Sequence, residues 1–214
     1  MRERYIYHDD YIQDTTGRIR PSKTVNITPY SDIAICSREE AQNLCDYEPN
    51  KWCAVSICAP SIGIAEVWDK RKQKFVTMDL SDDFNLSNTK MISKYHFHDI
   101  DSERPGGVMC SKDDIKSILE FGKKCEGEAL LVHCAAGISR STAAAFLIIL
   151  NSIKDKVKNP VETAMDIVSK VRPILYPNRH MLELGLPIIA RNKEELIAWW
   201  RELFNSRTWQ RIVG

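Results

Sequence analysis

The sequence predicts an α/β fold in which helices flank a mostly parallel central sheet, followed by a helical C-terminal half. Three observations predict it. Short segments of small and β-branched residues, Asp32-Ile-Ala-Ile-Cys36, Trp52–Cys58 and Ala129-Leu-Leu-Val-His133, are separated by stretches with helical spacing. Ser37 and Ser111 stand where intervening helices would start. Beyond Cys134 the apolar residues keep a helical period almost to the end of the chain. A length of 214 residues fits one domain with small appendages. The expected division is a flexible polar arm over 1–24, a main domain over 25–190, and a terminal helix and tail over 191–214 that pack on it.

Taken in order, the arm carries Gly17 and Pro21 and little apolar surface. Residues 32–36 form the first strand, and Ser37 caps a helix over 38–46 with Glu40 as its capping-box partner. Trp52–Cys58 is the second strand. Residues 59–93 hold the charged run 69–74 and the polar stretch 81–85, both expected as solvated turns. Tyr95-His-Phe-His98 reads as a strand ending at Asp99. Ser111 opens a helix with Ile115, Ile118, Leu119 and Gly122 on one face, and Gly127 ends that region. Residues 129–133 carry the strongest strand pattern in the chain. The almost uniformly apolar stretch 141–154 predicts a helix buried on most faces. Pro160 opens a helix to about residue 171, Asn178 caps another towards 190, and a last one covers about 193–204. Its stripe of Leu196, Trp199, Trp200 and Leu203 is expected to pack on the domain, since Glu194, Glu195 and Glu202 disfavour a membrane surface.

Composition excludes several classes of function. Thirty basic side chains against 29 acidic ones leave a net charge of +1, which argues against a nucleic-acid partner or a membrane held by charge. The longest apolar run, 143–150, is too short to span a bilayer. The N-terminus lacks the apolar core of a signal peptide. Seven cysteines, an odd number with no CxxC pair, fit neither a disulfide framework nor a zinc cluster. Reduced thiols in the cytoplasm are expected instead.

The chemistry is concentrated in Val132-His133-Cys134-Ala135-Ala136-Gly137-Ile138-Ser139-Arg140-Ser141-Thr142. It lies where a strand ends and a helix begins, a junction whose loop amides and helix dipole suit an anion. Gly137 lets the loop turn, the amides of residues 135–140 face the bound oxygens, and Arg140 can fork two N–H bonds onto a phosphate. The same field lowers the thiol pKa of Cys134 and makes it a nucleophile towards phosphorus. Ser141 can donate to that sulfur and improve it as a leaving group. His133 is expected to anchor the loop rather than to transfer protons. The pattern HCxxGxxR[ST] arises by chance in fewer than roughly one in 10,000 chains of this length.

This string resembles the signature loop of the protein tyrosine phosphatase superfamily, and its GxSRS/T ending is similar to the dual-specificity branch. A second match, Arg172-Pro173-Ile174-Leu175-Tyr176-Pro177-Asn178 with Met181 and Leu182, resembles the Arg-Pro…Pro-Asn segment of those phosphatases. There the asparagine helps to hold the signature loop, a role the resemblance gives to Asn178. The run HCAAGISRSTAAAF is also similar to predicted bacterial tyrosine phosphatases. Together the matches cover roughly 95–190; the N-terminal third agrees in element order only. The resemblance makes 25–190 a phosphatase domain that needs no metal or cofactor. Its substrates would be phosphorylated proteins or small phosphate esters: phosphotyrosine, with phosphoserine or phosphothreonine as further candidates. Two departures matter. The loop has alanines at 135 and 136 and no lysine, which disfavours highly charged inositol lipids. No paired-glutamine loop follows the helix, which favours the shorter dual-specificity plan.

Such enzymes protonate the leaving group with an aspartate some 30–40 residues before the cysteine. Asp99 and Asp101 stand 35 and 33 residues before Cys134. Asp99, at the strand end and followed by isoleucine as in the bacterial group, is the preferred acid; Asp101 fits the dual-specificity spacing and stays open. Gly106-Gly107 reads equally as a hinge for a closing loop or as an ordinary turn. Cys110 or Cys125 could protect Cys134 as a disulfide, although buried inert cysteines are commoner. Three other functions compete: a phosphate-binding module without turnover, a rhodanese-type sulfurtransferase, and a phosphatase acting on RNA 5′-phosphates. The oligomeric state is not legible from the sequence.

Overall fold

A computed structural model describes residues 27–60 and 84–205 and, outside these, the backbone of five strands at 6–8, 11–13, 18–21, 64–69 and 74–79. In chain order the elements begin with β1 (Ile6–His8), β2 (Tyr11–Gln13), β3 (Arg18–Pro21), β4 (Asp32–Ser37), α1 (Arg38–Tyr47) and β5 (Trp52–Cys58). They continue with β6 (Ile64–Asp69), β7 (Lys74–Asp79), β8 (Met91–His96), α2 (Lys112–Lys124) and β9 (Ala129–Cys134). Four helices complete the chain: α3 (Arg140–Ile153), α4 (Pro160–Val171), α5 (Arg179–Ile189) and α6 (Lys193–Asn205).

The sheet has the order β1-β2-β3-β4-β9-β5-β8. Strands β4, β9, β5 and β8 run parallel, and β1 to β3 extend the β4 edge in antiparallel fashion. The α/β architecture is the one the sequence predicts. Strand β9 sits centrally, and all six of its residues are buried, as expected of a parallel strand covered on both faces. Register pairs Ser37 with Cys134, and Ser56 with His133, so the carboxyl ends of three core strands meet at one edge. Open α/β sheets bind ligands at that edge.

Helix α3 carries the core, with every residue but Asn151 and Ser152 buried. It lies close against α2 and α5, because a Cβ on Gly122 would come within 2.7 Å of Ile148 and one on Gly185 within 2.5 Å of Leu147. The capping box at Ser37 and Glu40 forms as expected, and Ser111 makes another with Asp114. Pro160 opens α4, and Asn178 caps α5 through the Met181 N–H. Trp199 and Leu203 of α6 are buried in the main core, with Leu196 and Trp200 half-buried against it. The tail beyond Asn205 lies outside the described residues.

Three segments differ from expectation. The 1–24 segment, expected as an arm, contains the three short strands β1 to β3. Within 59–93, β6 and β7 pair antiparallel, with Asp69 opposite Lys74; residues 70–73 of the charged run lie outside the described set. Strand β8 starts at Met91 rather than Tyr95, because residues 91–96 pair with Cys53–Cys58. It is an edge strand with Tyr95 as its one buried residue, so it lacks the apolar signature of β5 and β9.

Candidate active site

The loop from Cys134 to Arg140 joins the carboxyl end of β9 to the N-terminus of α3. Gly137 has φ +71°, and a Cβ there would run into Cys36 and approach the Ser37 amide nitrogen at 2.5 Å. The loop is thus pressed against the junction of β4 and α1, where the Arg38 N–H donates to the Ala135 carbonyl at 3.3 Å. Ala135 and Ala136 are exposed, Ile138 and Ser139 half-exposed, and Cys134 and Arg140 buried.

Ser139 occupies the N-cap position of α3 but makes no side-chain cap. Its hydroxyl donates to Asp99 Oδ1 instead, at 2.6 Å. The first-turn amides of α3 therefore face the loop rather than a capping oxygen, the arrangement of an anion-binding helix end. The loop's outer carbonyls are held from behind: Ile138 accepts from Thr142 Oγ1 at 2.6 Å and from the Tyr176 N–H at 2.8 Å.

Cys134 Sγ and Ser141 Oγ are hydrogen-bonded at 3.3 Å. Burial by itself pushes the Cys134 thiol up. The Ser141 hydroxyl, the backbone N–H groups of Ser141 and Gly137, and the Arg140 charge outweigh it, so the net direction is down. Five of the other thiols go the opposite way. Burial pushes Cys110 and Cys125 up to about 12 and Cys45 up to about 11, and it raises Cys36 and Cys53 as well. Cys134 is thereby set apart from five of the other cysteines; all seven are free thiols. Cys125 hydrogen-bonds Cys53, whose strand position pairs with Leu130, at the end of the sheet remote from Cys134.

Arg140, 5% exposed, donates through Nη1 to the Phe97 carbonyl at 2.7 Å. Its Nε is buried without a hydrogen-bond partner among the described residues. A buried guanidinium donor left in this state is costly unless an anion reaches it. His133 is fully buried, with its ring edge-on to Phe84 at 5.3 Å between centroids. Phe84 in turn lies under the Arg38 guanidinium at 5.0 Å.

Both candidate acids lie beyond β8. Asp99 Oδ1 accepts from Ser139 Oγ and from Asn178 Nδ2, at 2.6 and 2.9 Å. Asp101 turns away and accepts from the His180 N–H at 3.4 Å, at the start of α5. Asn178 is buried, and its backbone N–H also donates to the Ser139 carbonyl at 3.3 Å, so it ties the signature loop, α5 and Asp99 together. Gly106, at φ +75°, and the Gly107 N–H bond to Arg104 make a tight turn of the segment that follows.

Arg172 is a residue whose role the sequence did not reveal. Its Nη1 forks onto both Glu40 oxygens at 3.0 and 2.9 Å, and its Nη2 donates to the Ala136 carbonyl at 3.1 Å. It thus braces the loop against α1 from the end of α4. The partners are 132 and 36 residues away in sequence, and no local pattern connects them.

Over part of its length the chain is similar in sequence to dual specificity phosphatases. No family profile matches it. A probable dual specificity protein phosphatase of Dictyostelium discoideum is 37% identical over 92 residues, which cover 43% of this chain and 22% of that protein. A MAP kinase phosphatase with leucine-rich repeats from the same organism is 32% identical over 87 residues, covering 40% of this chain and 11% of that protein. The chain thus spans a small part of the length of these relatives. Among solved structures, a mouse putative dual specificity phosphatase superposes with a TM-score of 0.45 at 13% identity, covering 86% of this chain and 87% of that one. Human DUSP28 gives 0.45 at 14% identity, covering 73% and 87%.

Proposed function

We propose that this chain is a cysteine-dependent phosphatase that hydrolyses phosphate monoesters through a phosphocysteine at Cys134. The observation that carries this reading is a buried thiol pulled down by Ser141, loop amides and Arg140, beside a buried arginine Nε that lacks a partner among the described residues. The Cys134 thiolate attacks phosphorus and the ester P–O bond breaks. Asp99 gives its proton to the departing oxygen; both hydrogen bonds to its carboxyl go to Oδ1, which leaves Oδ2 for that proton. Arg140 and the amides of residues 135–140 meet the charge on the equatorial oxygens. Water then attacks phosphorus, Asp99 takes up its proton, the S–P bond breaks, and phosphate leaves. Ser141 stabilises the returning thiolate.

Phosphotyrosine is the leading substrate, with phosphoserine and phosphothreonine as further candidates by likeness to the dual specificity phosphatases. A loop whose exposed side chains are alanines offers a plain phosphate cradle without added basic groups. A reducing compartment such as the cytoplasm suits a thiolate nucleophile among free thiols. The test is metal-free release of p-nitrophenol from its phosphate ester. Turnover inhibited by vanadate and lost in Cys134→Ser supports the mechanism. Folded wild-type protein that binds phosphopeptides without turnover would replace it with a phosphate-binding module.

A further inference from the structure

Residues 101–108, which follow Asp99 and Ile100, are all exposed. Burial therefore does little to fix this segment, and its position relative to the signature loop depends on polar contacts. Two of these close it into a loop at its base. The His98 N–H donates to the Val108 carbonyl at 2.8 Å, and the Val108 N–H donates to His98 Nδ1 at 2.9 Å. The second is unusual, because a side chain stands in for the backbone carbonyl that a ladder would supply. It requires an imidazole that is unprotonated at Nδ1 and carries its proton on Nε2.

We propose that His98 is a positioning residue: its Nδ1 latches the base of the 99–107 loop and so holds Asp99 at Ser139. The proposal rests on the reading of Asp99 as the general acid. The bond from Ser139 to Asp99 Oδ1 spans one residue beyond the latch, so the β8 terminus, the latch and the signature loop form one continuous chain of contacts. His180 holds the far arm, where its Nε2 donates to the Cys110 carbonyl at 3.0 Å. With the Val108 N–H unpaired, the loop keeps a single backbone bond at its base, and Asp99 samples positions away from the leaving group. A displacement of about 1 Å at a catalytic group costs up to roughly 100-fold in rate.

The test uses the leaving group as its readout. Protonation by Asp99 matters most for a poor leaving group, so kcat/KM for phenyl phosphate is compared with that for p-nitrophenyl phosphate, without metal, in one set of variants. His98→Phe is expected to lower the phenyl phosphate value about ten-fold more than the p-nitrophenyl phosphate value. His98→Asn places an amide oxygen where Nδ1 was, and is expected to restore the wild-type ratio within about two-fold. Val108→Pro removes the N–H from the other side, and combining it with His98→Phe is expected to add nothing further. Asp99→Asn in the same set separates the two ideas. If it lowers the phenyl-to-p-nitrophenyl phosphate ratio while His98→Phe and Val108→Pro leave that ratio unchanged, the latch is wrong and the acid stands. Equal loss in His98→Phe and His98→Asn also overturns the latch, since only a general structural role predicts it. If Asp99→Asn leaves the ratio unchanged, the acid reading falls and the latch with it.

Discussion

The hydroxyl of Ser139 donates to Asp99 Oδ1 at 2.6 Å, joining the signature loop directly to a residue 40 positions before it. The same contact removes Ser139 from helix capping and brings a carboxyl to the loop between Cys134 and Arg140. Asp99→Asn is therefore expected to slow hydrolysis of aryl and alkyl phosphates by about 10²–10⁴-fold with the fold intact. Asp101→Asn, whose amide oxygen can still accept from the His180 N–H at the start of α5, is expected to keep most of the activity. Steady-state rates of the two variants decide between them; the reverse pattern would make Asp101 the acid.

Ser141 acts on the state of the Cys134 thiol. Removing its hydroxyl in Ser141→Ala takes away one of the groups that lower the Cys134 thiol, so the thiol pKa moves up. The rate of inactivation by iodoacetate, plotted against pH, is expected to shift to higher pH in the variant. Cys110, Cys125 and Cys45, raised by burial, are expected to remain unlabelled at neutral pH, and phosphate is expected to protect Cys134. Mass spectrometry of the alkylated protein checks both expectations.

Gly137 and Gly127 separate close approach from backbone conformation. Both have positive φ, but a Cβ on Gly127 meets nothing within 4 Å, whereas one on Gly137 meets the Cys36 and Ser37 backbone. Gly127→Ala is expected to cost about 1 kcal/mol of stability and leave turnover unchanged. Gly137→Ala is expected to cost more than about 1 kcal/mol and to abolish turnover by displacing the loop. Urea unfolding and p-nitrophenyl phosphate rates measured together test the contrast.

The brace between Glu40 and Arg172 is expected to show itself in acid. Burial raises the Glu40 carboxyl, but the Ser37 backbone N–H, the Arg172 guanidinium and the Ser37 hydroxyl bring it below its ordinary 4.5. A carboxyl lowered by folding stabilises the fold above its unfolded value, and that contribution is lost as pH falls through the folded value. Stability should therefore drop as pH is lowered below about 4.5, and Glu40→Gln should flatten that part of the profile. At neutral pH the same substitution is expected to cost on the order of 1 kcal/mol, since the pair is partly exposed.

Where a function or a fold element follows from neighbours in sequence, it was readable. Ser37 with Glu40, Pro160 and Asn178 mark helix starts because a cap is satisfied within three residues. Strands β5 and β9 announce themselves because central parallel strands are apolar on both faces. The pairing of β6 with β7 did not, because the charged run 69–74 dominated the sequence pattern of a short segment, and β8 did not because an edge strand is half exposed.

The sequence by itself determined the strand–loop–helix junction that carries Cys134 and Arg140. Cys134, Gly137, Arg140 and Ser141 lie within eight residues, and a strand–loop–helix junction needs only local geometry to gather backbone amides around an anion. Tertiary structure decided what surrounds that loop. Ser139 turns to Asp99, Asn178 and Arg172 hold the outer carbonyls and α1, and His98 ties the base of the neighbouring loop. These partners are brought together by the parallel sheet, whose crossovers bring the ends of distant strands to one edge. A chain read in order carries the chemistry of each group, but the distances that decide which groups act together exist only once the sheet has formed.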